Sequence, residues 1–509
     1  MKQRPLTPTM SLLWLGLPLS FIFAIALLLS ISPNDYWWYV RLGGDIARQG
    51  AIPTADAYTY THAGEPMVYH SWLSAVLFWG LRQAGGNTLT SLARGVLLLA
   101  FYTLIWKTCR LAGAGPKLAA LLTLLAAMAG SNNWAMRPQL FSYPLFGLTL
   151  LSLQQWRRGK DVWLWLLPPI VALWVNLHGA FALPFLLVGA AIVGGGGNRK
   201  ALLLALGGML LASLLNPRGA GAWGYVLKLL TDPSSQQLGA EWKSPTTDSW
   251  QGKLFFMWLL LFPALVAFSA FSRQSPALSL SNGSAVSGQR SAVSGQAQKT
   301  RDKGRLTFTE WLWFLGFGWM AVSGLRYGIW FLAILAPLSA SLLAKTAVGR
   351  FFDRRNSTGI PVMNAAIFAL LLLMPLALLP GVRESWWDEA PPQLSENTPV
   401  AATDWLAQRP DLPGQLWADL AYSVYLIDAL PERPVWIDTR FELFPPEQWE
   451  QYVEISEAAP GWDNALAQEG VNLLMLDTQR EPRLVKAAEQ SAGWDEVYRD
   501  ERAVIFVYA

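Results

Sequence analysis

Long apolar runs joined by short basic connectors constrain this chain more than any other feature. Ser11 to Ile31, Phe255 to Phe271 and Ile360 to Pro380 approach or reach the roughly 20 apolar residues that cross a bilayer core. Hydrophobic residues make up 53% of the chain and charged residues only 15%, which excludes an ordinary soluble enzyme. The first run is followed by Ser32-Pro33-Asn34-Asp35, which lacks a small-x-small cleavage pattern, so it reads as a retained signal anchor.

The basic residues set the orientation. With Lys2 and Arg4 on the cytoplasmic side, spans near 11–31, 91–107, 116–131, 138–155, 161–177, 180–196, 201–215, 253–272, 307–324, 327–346 and 360–380 give about eleven transmembrane helices. The clusters Lys107/Arg110/Lys117, Arg157/Arg158/Lys160, Arg199/Lys200, Lys299 to Arg305 and Arg350/Arg354/Arg355 then all face the cytoplasm. The net charge of +4 is therefore an orientation signal and not a nucleic-acid footprint. The apolar stretch Trp72 to Leu81 would break this parity as a span, and reads as a juxtamembrane or half-inserted helix within an outer loop over 32–90.

The chain divides into a membrane domain over 1–390 and an extracytoplasmic α/β domain over 391–509. Short apolar runs at Gln415 to Ala418, Val435 to Ile437 and Val471 to Leu476 read as strands between helical stretches, with a closing hairpin, so a mostly parallel sheet is expected. Residues 273–306, rich in Ser, Gly and Gln and carrying the near-repeat SAVSGQR and SAVSGQA, read as a disordered cytoplasmic loop. A single cysteine, Cys109, excludes an internal disulfide and any multi-cysteine metal site. There is no P-loop, no dinucleotide glycine fingerprint and no G-x-S-x-G elbow.

Function is expected on the outer face. Asp35 stands at the end of the first span before Tyr36, Trp37, Trp38 and Tyr39, where it is either an interfacial anchor or a site carboxylate. The same loop carries Asp56, His62, Glu65 and His70. Carboxylates and imidazoles serve as divalent-metal ligands or general bases, and their spacing here matches no compact metal signature, so the metal stays open. Arg137 and Arg326 sit at span ends and suit an anion such as phosphate, or else anchor headgroups by snorkelling. Asn176 and His178 form a polar patch that serves a pathway or joins helices. Glu241-Trp242 reads as part of an interfacial amphipathic segment.

Asp35-Tyr36-Trp37-Trp38, Gly50 to Asp56, His70-Ser71-Trp72-Leu73, Arg137-Pro138-Gln139, Asn176-Leu177-His178-Gly179 and Trp436-Ile437-Asp438-Thr439-Arg440 together resemble the GT-C superfamily of integral membrane glycosyltransferases. Within it the chain is similar to uncharacterised bacterial GT-C-like proteins and, more distantly, to protein O-mannosyltransferases and aminoarabinose transferases. The resemblance implies a polyprenyl-phosphate sugar donor and an acceptor that is a glycan, lipid or protein, with transfer at the outer face of the bacterial cytoplasmic membrane. It implies Asp35 as base, Arg326 as donor-phosphate ligand, Arg137 as a second one, and a possible divalent metal as cofactor. Two positions depart from the pattern: Tyr39 stands where a His is expected and Ser71 where a Glu is expected. Those departures keep open a noncatalytic scaffold that binds a partner in an envelope assembly.

Overall fold

In the computed structural model, residues 8–274, 305–352, 360–412 and 414–509 are described. The loop expected to be disordered lies, apart from its ends, outside the described residues. Helix α1 (Pro8–Leu28) runs first and leads through Asp35 into α2 (Tyr36–Gln49). The bundle continues with α3 (Trp72–Ala112), α4 (Pro116–Gly130), α5 (Gln139–Trp156), α6 (Leu167–Leu177), α7 (Leu183–Gly194) and α8 (Arg199–Ala212). After α9 (Gly221–Thr231) and α10 (Pro233–Leu238) come α11 (Trp250–Gln274), α12 (Phe308–Ser323), α13 (Gly328–Leu343), α14 (Ala347–Phe352) and α15 (Pro361–Leu373). Among the described residues five helices are individually long and apolar enough to cross a membrane, and shorter apolar helices are also present. The protein is a multi-pass membrane protein.

The stretch Trp72 to Leu81 is helical, as expected. It lies within α3, whose 41 residues are two helices joined across a kink of non-helical backbone at Gly85 and Gly86, so the stretch is a helix of its own that runs directly into the next one with no intervening loop. An unbroken helix of that length would be roughly 60 Å long, about twice the hydrocarbon thickness. Gly86 takes φ +59, a conformation side chains avoid, and so lets the apolar stretch turn away from the span that follows. The first part of α3 packs on α2 so closely that a Cβ on Gly43 would lie 2.1 Å from the Ala75 carbonyl oxygen.

Buried arginines close one end of α1. Its last carbonyls have no partner inside the helix; Arg94 donates to the Ala26 and Leu29 carbonyls, and Arg383 to that of Leu27 at 2.8 Å. At the opposite end of the bundle Arg157 reaches Glu310 at 2.6 Å, fastening α5 to the capping box that starts α12.

The C-terminal module holds α16 (Val400–Ala407), β1 (Gln415–Ala418), α17 (Leu420–Ala429), α18 (Pro446–Ser456), α19 (Trp462–Gln468), β2 (Val471–Asp477), α20 (Pro482–Gln490), β3 (Trp494–Arg499) and β4 (Ala503–Tyr508). The sheet order is β1-β2-β4-β3, with β1 and β2 parallel and the other two pairings antiparallel. The sheet is thus mixed, not mostly parallel. Val435 to Ile437 is no strand: Pro434 removes a backbone donor, and Val435 makes only isolated bridges to Thr59 and Leu416.

Side-chain alternation explains how the module sits. Leu416, Ala418, Leu473, Met475 and Ile505 belong to the same hydrophobic cluster as Tyr36, Trp37 and the bundle, while Trp417, Leu474, Leu476, Val504 and Phe506 form a second core with α18 to α20. One sheet face therefore packs toward the membrane domain and the other toward the module's own helices.

Candidate functional site

A cavity of about 490 Å³ lies between the bundle and the module, lined by Asp35, His70, Arg137, His178 and Arg326 together with residues of the 216–252 connection and of the module. Asp35 is the residue before α2, yet its carboxylate caps no backbone N–H there. It is free to face the cavity, where Oδ1 accepts the Thr439 hydroxyl at 2.6 Å and Oδ2 lies 3.6 Å from Arg137 Nε.

The two arginines share one carboxylate. Arg137 pairs with Glu241 Oε2, and Arg326 Nη1 lies 3.3 Å from Glu241 Oε1. Arg326, in the tight turn between α12 and α13, also stacks its guanidinium over Trp242 at 4.2 Å. Glu241-Trp242 is therefore a cavity wall, not only a surface segment: it supplies an anion to both arginines and an aromatic face to one. With Asp35 and Glu241 opposite Arg137 and Arg326, these four charges balance.

His70 stacks on Tyr225 at 4.1 Å with the rings 26° apart. Burial, with the nearby Arg326 charge, lowers its pKa to about 3, so it is neutral at physiological pH. Tyr225 donates to Glu442 Oε1 at 2.5 Å, and burial pushes the Glu442 carboxyl above the usual range. His178 Nδ1 accepts the Ala180 N–H at 3.4 Å and lies 3.1 Å from the Ser142 hydroxyl.

Two expected site residues stand outside the cavity. Asp56 is buried behind the wall, where Oδ1 meets Arg440 Nη1 at 2.6 Å. Arg440 in turn holds Asp438 through a fork, Nε to Oδ1 at 2.9 Å and Nη2 to Oδ2 at 2.5 Å, and donates to the Tyr69 hydroxyl. Asn176 spends its amide on the Ala172 and Leu215 carbonyls and accepts the Trp72 indole N–H at 2.9 Å, so it joins helices. Of the two departures, Tyr39 is buried, stacked on Trp38 and lines the cavity, while Ser71 is buried at the start of α3.

No family model matches the chain, and no curated protein matches it in sequence. Solved structures do match. The archaeal oligosaccharyltransferase AglB from Archaeoglobus fulgidus, in complex with an inhibitory peptide and a dolichol-phosphate, aligns with TM-score 0.55 and 12% identity over 97% of this chain and 74% of that one. The arabinofuranosyltransferase AftD from Mycobacteria gives 0.52 and 13% over 97% of this chain and 40% of that one, so this chain spans under half its length. ArnT from Cupriavidus metallidurans gives 0.50 and 13% over 96% and 95% of the two chains. The chain has the GT-C fold.

A second acid of the cavity, beside Asp35, is Glu241 of the 216–252 connection. Among the described residues no group of three or more His, Cys, Asp or Glu is arranged to hold a metal. The cavity carboxylates Asp35 and Glu241 face guanidiniums, and Glu442 faces a phenol, so the donor set does not fit a resident divalent cation.

Proposed function

We propose that the chain is a membrane glycosyltransferase that moves a sugar from a polyprenyl-phosphate carrier to an acceptor hydroxyl. The observation that carries this reading is the cavity, which sets a carboxylate, Asp35, against two arginines, Arg137 and Arg326. That AglB is a glycosyltransferase seen with a dolichol-phosphate supports a lipid-phosphate donor in such a fold. The positive-inside distribution supports an inner-membrane protein with a cytoplasmic N-terminus and the module outside.

The donor phosphate takes the place of the Glu241 carboxylate between Arg137 and Arg326, whose planar, permanent charges suit it. Asp35 then releases Thr439 and accepts the proton of the acceptor hydroxyl. The acceptor oxygen bonds to the anomeric carbon as the bond from that carbon to the phosphate oxygen breaks, and the arginines stabilise the charge that grows on the leaving phosphate. Asp35, Arg137 and Arg326 are thus the proposed site residues, with His70 and His178 as neutral walls. Asp56 supports the wall through Arg440.

Transfer from defined polyprenyl phosphate sugars in liposomes tests the reading. Asp35→Asn should lower turnover about 10²- to 10⁴-fold, as for loss of a general base, and Arg326→Ala should weaken donor use. Equal activity in wild type and both variants would remove the assignments. A stoichiometric partner co-purifying with a chain that transfers no sugar would favour the scaffold reading, to which Tyr39 and Ser71 lend support.

A further inference from the structure

Each carboxylate of the cavity but one is matched by a guanidinium: Asp35 by Arg137, and Glu241 by Arg137 and Arg326. Glu442 forms no ion pair among the described residues. Its side-chain partner is the Tyr225 hydroxyl, at 2.5 Å. Tyr225 is buried and stacks on His70 at 4.1 Å. These three residues come from the module, from α9 and from the loop before α3, yet all line the one cavity. They also adjoin the proposed phosphate end, because the Arg326 charge bears on both His70 and Tyr225.

A wall of this make-up suits a sugar ring better than a phosphate or a tail. It offers a carboxyl oxygen for ring hydroxyls and aromatic surface for apolar C–H faces, and none of its three side chains is cationic at neutral pH. We infer that Glu442, held in place by Tyr225, determines which sugar is transferred, by accepting a hydrogen bond from a ring hydroxyl while the ring packs near His70 and Tyr225. The inference rests on the lipid-phosphate donor reading and adds to it the part of the cavity that reads the sugar. It also gives the module a role in substrate choice, since Glu442 lies only three residues beyond Thr439, the partner of Asp35.

The test compares two lipids on the full-length protein in nanodiscs: a polyprenyl phosphate without sugar, and the same lipid bearing mannose, glucose or arabinose. Glu442→Ala should weaken the preferred sugar-bearing lipid about 10- to 100-fold, the scale of a hydrogen bond to a charged group, and leave the sugarless lipid within about twofold. Glu442→Gln, which keeps the shape and one acceptor oxygen, should raise KM more than it lowers kcat and alter the ranking among the three sugars. Tyr225→Phe should follow Glu442→Gln. Equal weakening of both lipids would make Glu442 a structural residue and overturn the inference, as would unchanged affinity for every sugar-bearing lipid in a folded Glu442→Gln variant. If wild type binds neither lipid, the donor reading itself falls and takes the sugar subsite with it. If Arg326→Ala loses both lipids while Glu442→Gln changes nothing, the donor reading stands and the sugar subsite alone is overturned.

Discussion

Glu241 and the proposed donor phosphate compete for the same pair of guanidiniums, and that competition has a sign. Glu241→Gln removes the internal anion, so a polyprenyl phosphate no longer has to displace it. Affinity should rise about tenfold, as when an occluded state is removed from the free protein; weaker binding in equilibrium titrations would make Glu241 a scaffold for the arginines instead. His70 gives a second signed expectation. Its folded pKa, about 3, lies below the ordinary value of 6.5, so the unfolded chain binds more protons in that window. Stability should therefore fall as pH drops from 6.5 toward 3, by at most about 1.4 kcal/mol per pH unit from this group. His70→Phe, which preserves a ring against Tyr225, should flatten that slope in thermal unfolding scans. At this scale the sequence was partly readable. Asp35, Arg137, His178 and Arg326 stand out because each is a polar residue at the end of an apolar run. Glu442 and Tyr225 carry no mark in the sequence, Glu241 reads only as part of an interfacial segment, and only folding brings Thr439 across 404 positions to Asp35.

Apolar segments are visible in composition because the bilayer demands them, and each expected span overlaps a helix, five of which are long and apolar enough to cross among the described residues. Element breaks are less visible. Trp72 to Leu81 has an apolar run like its neighbours, and what separates it from the rest of α3 is the backbone at Gly85 and Gly86, which no hydrophobic pattern reports. Gly86→Ala meets no steric neighbour but must hold φ +59 with ψ −153, so it should destabilise the protein by about 1 to 3 kcal/mol through backbone strain alone. Thermal shift in detergent checks this. The Val435 to Ile437 stretch looked like a strand for the converse reason. Its composition suits a sheet, but the Trp436 carbonyl is taken by the Thr61 hydroxyl at 2.7 Å, and Val435 bridges the loop that carries Asp56.

The whole molecule is held together across that seam. Arg82 meets Asp428 at 2.5 Å and lies 4.8 Å from the Trp37 ring, and Arg440 bridges Asp56 and Asp438 without exposure to water. Arg440→Met would leave two buried carboxylates unpaired, a loss of about 3 to 5 kcal/mol. The module should then become sensitive to protease in proteoliposomes while the helical bundle stays intact; an unchanged digestion pattern would show that apolar packing alone holds the seam. Sequence reasoning found the module and its mixed helices and strands, but not that its sheet shares a core with the membrane domain, because the alternation that makes both sheet faces apolar does not say what covers each. The size of the cavity carries one more consequence. About 490 Å³ is the volume of a small-ligand pocket: on the proposed reading it has room for a phosphate and a sugar, and the isoprenoid tail of the donor would stay among the lipids. The enzyme so proposed has no ruler for its carrier. It grips the head, and the length of the chain behind is left to the membrane.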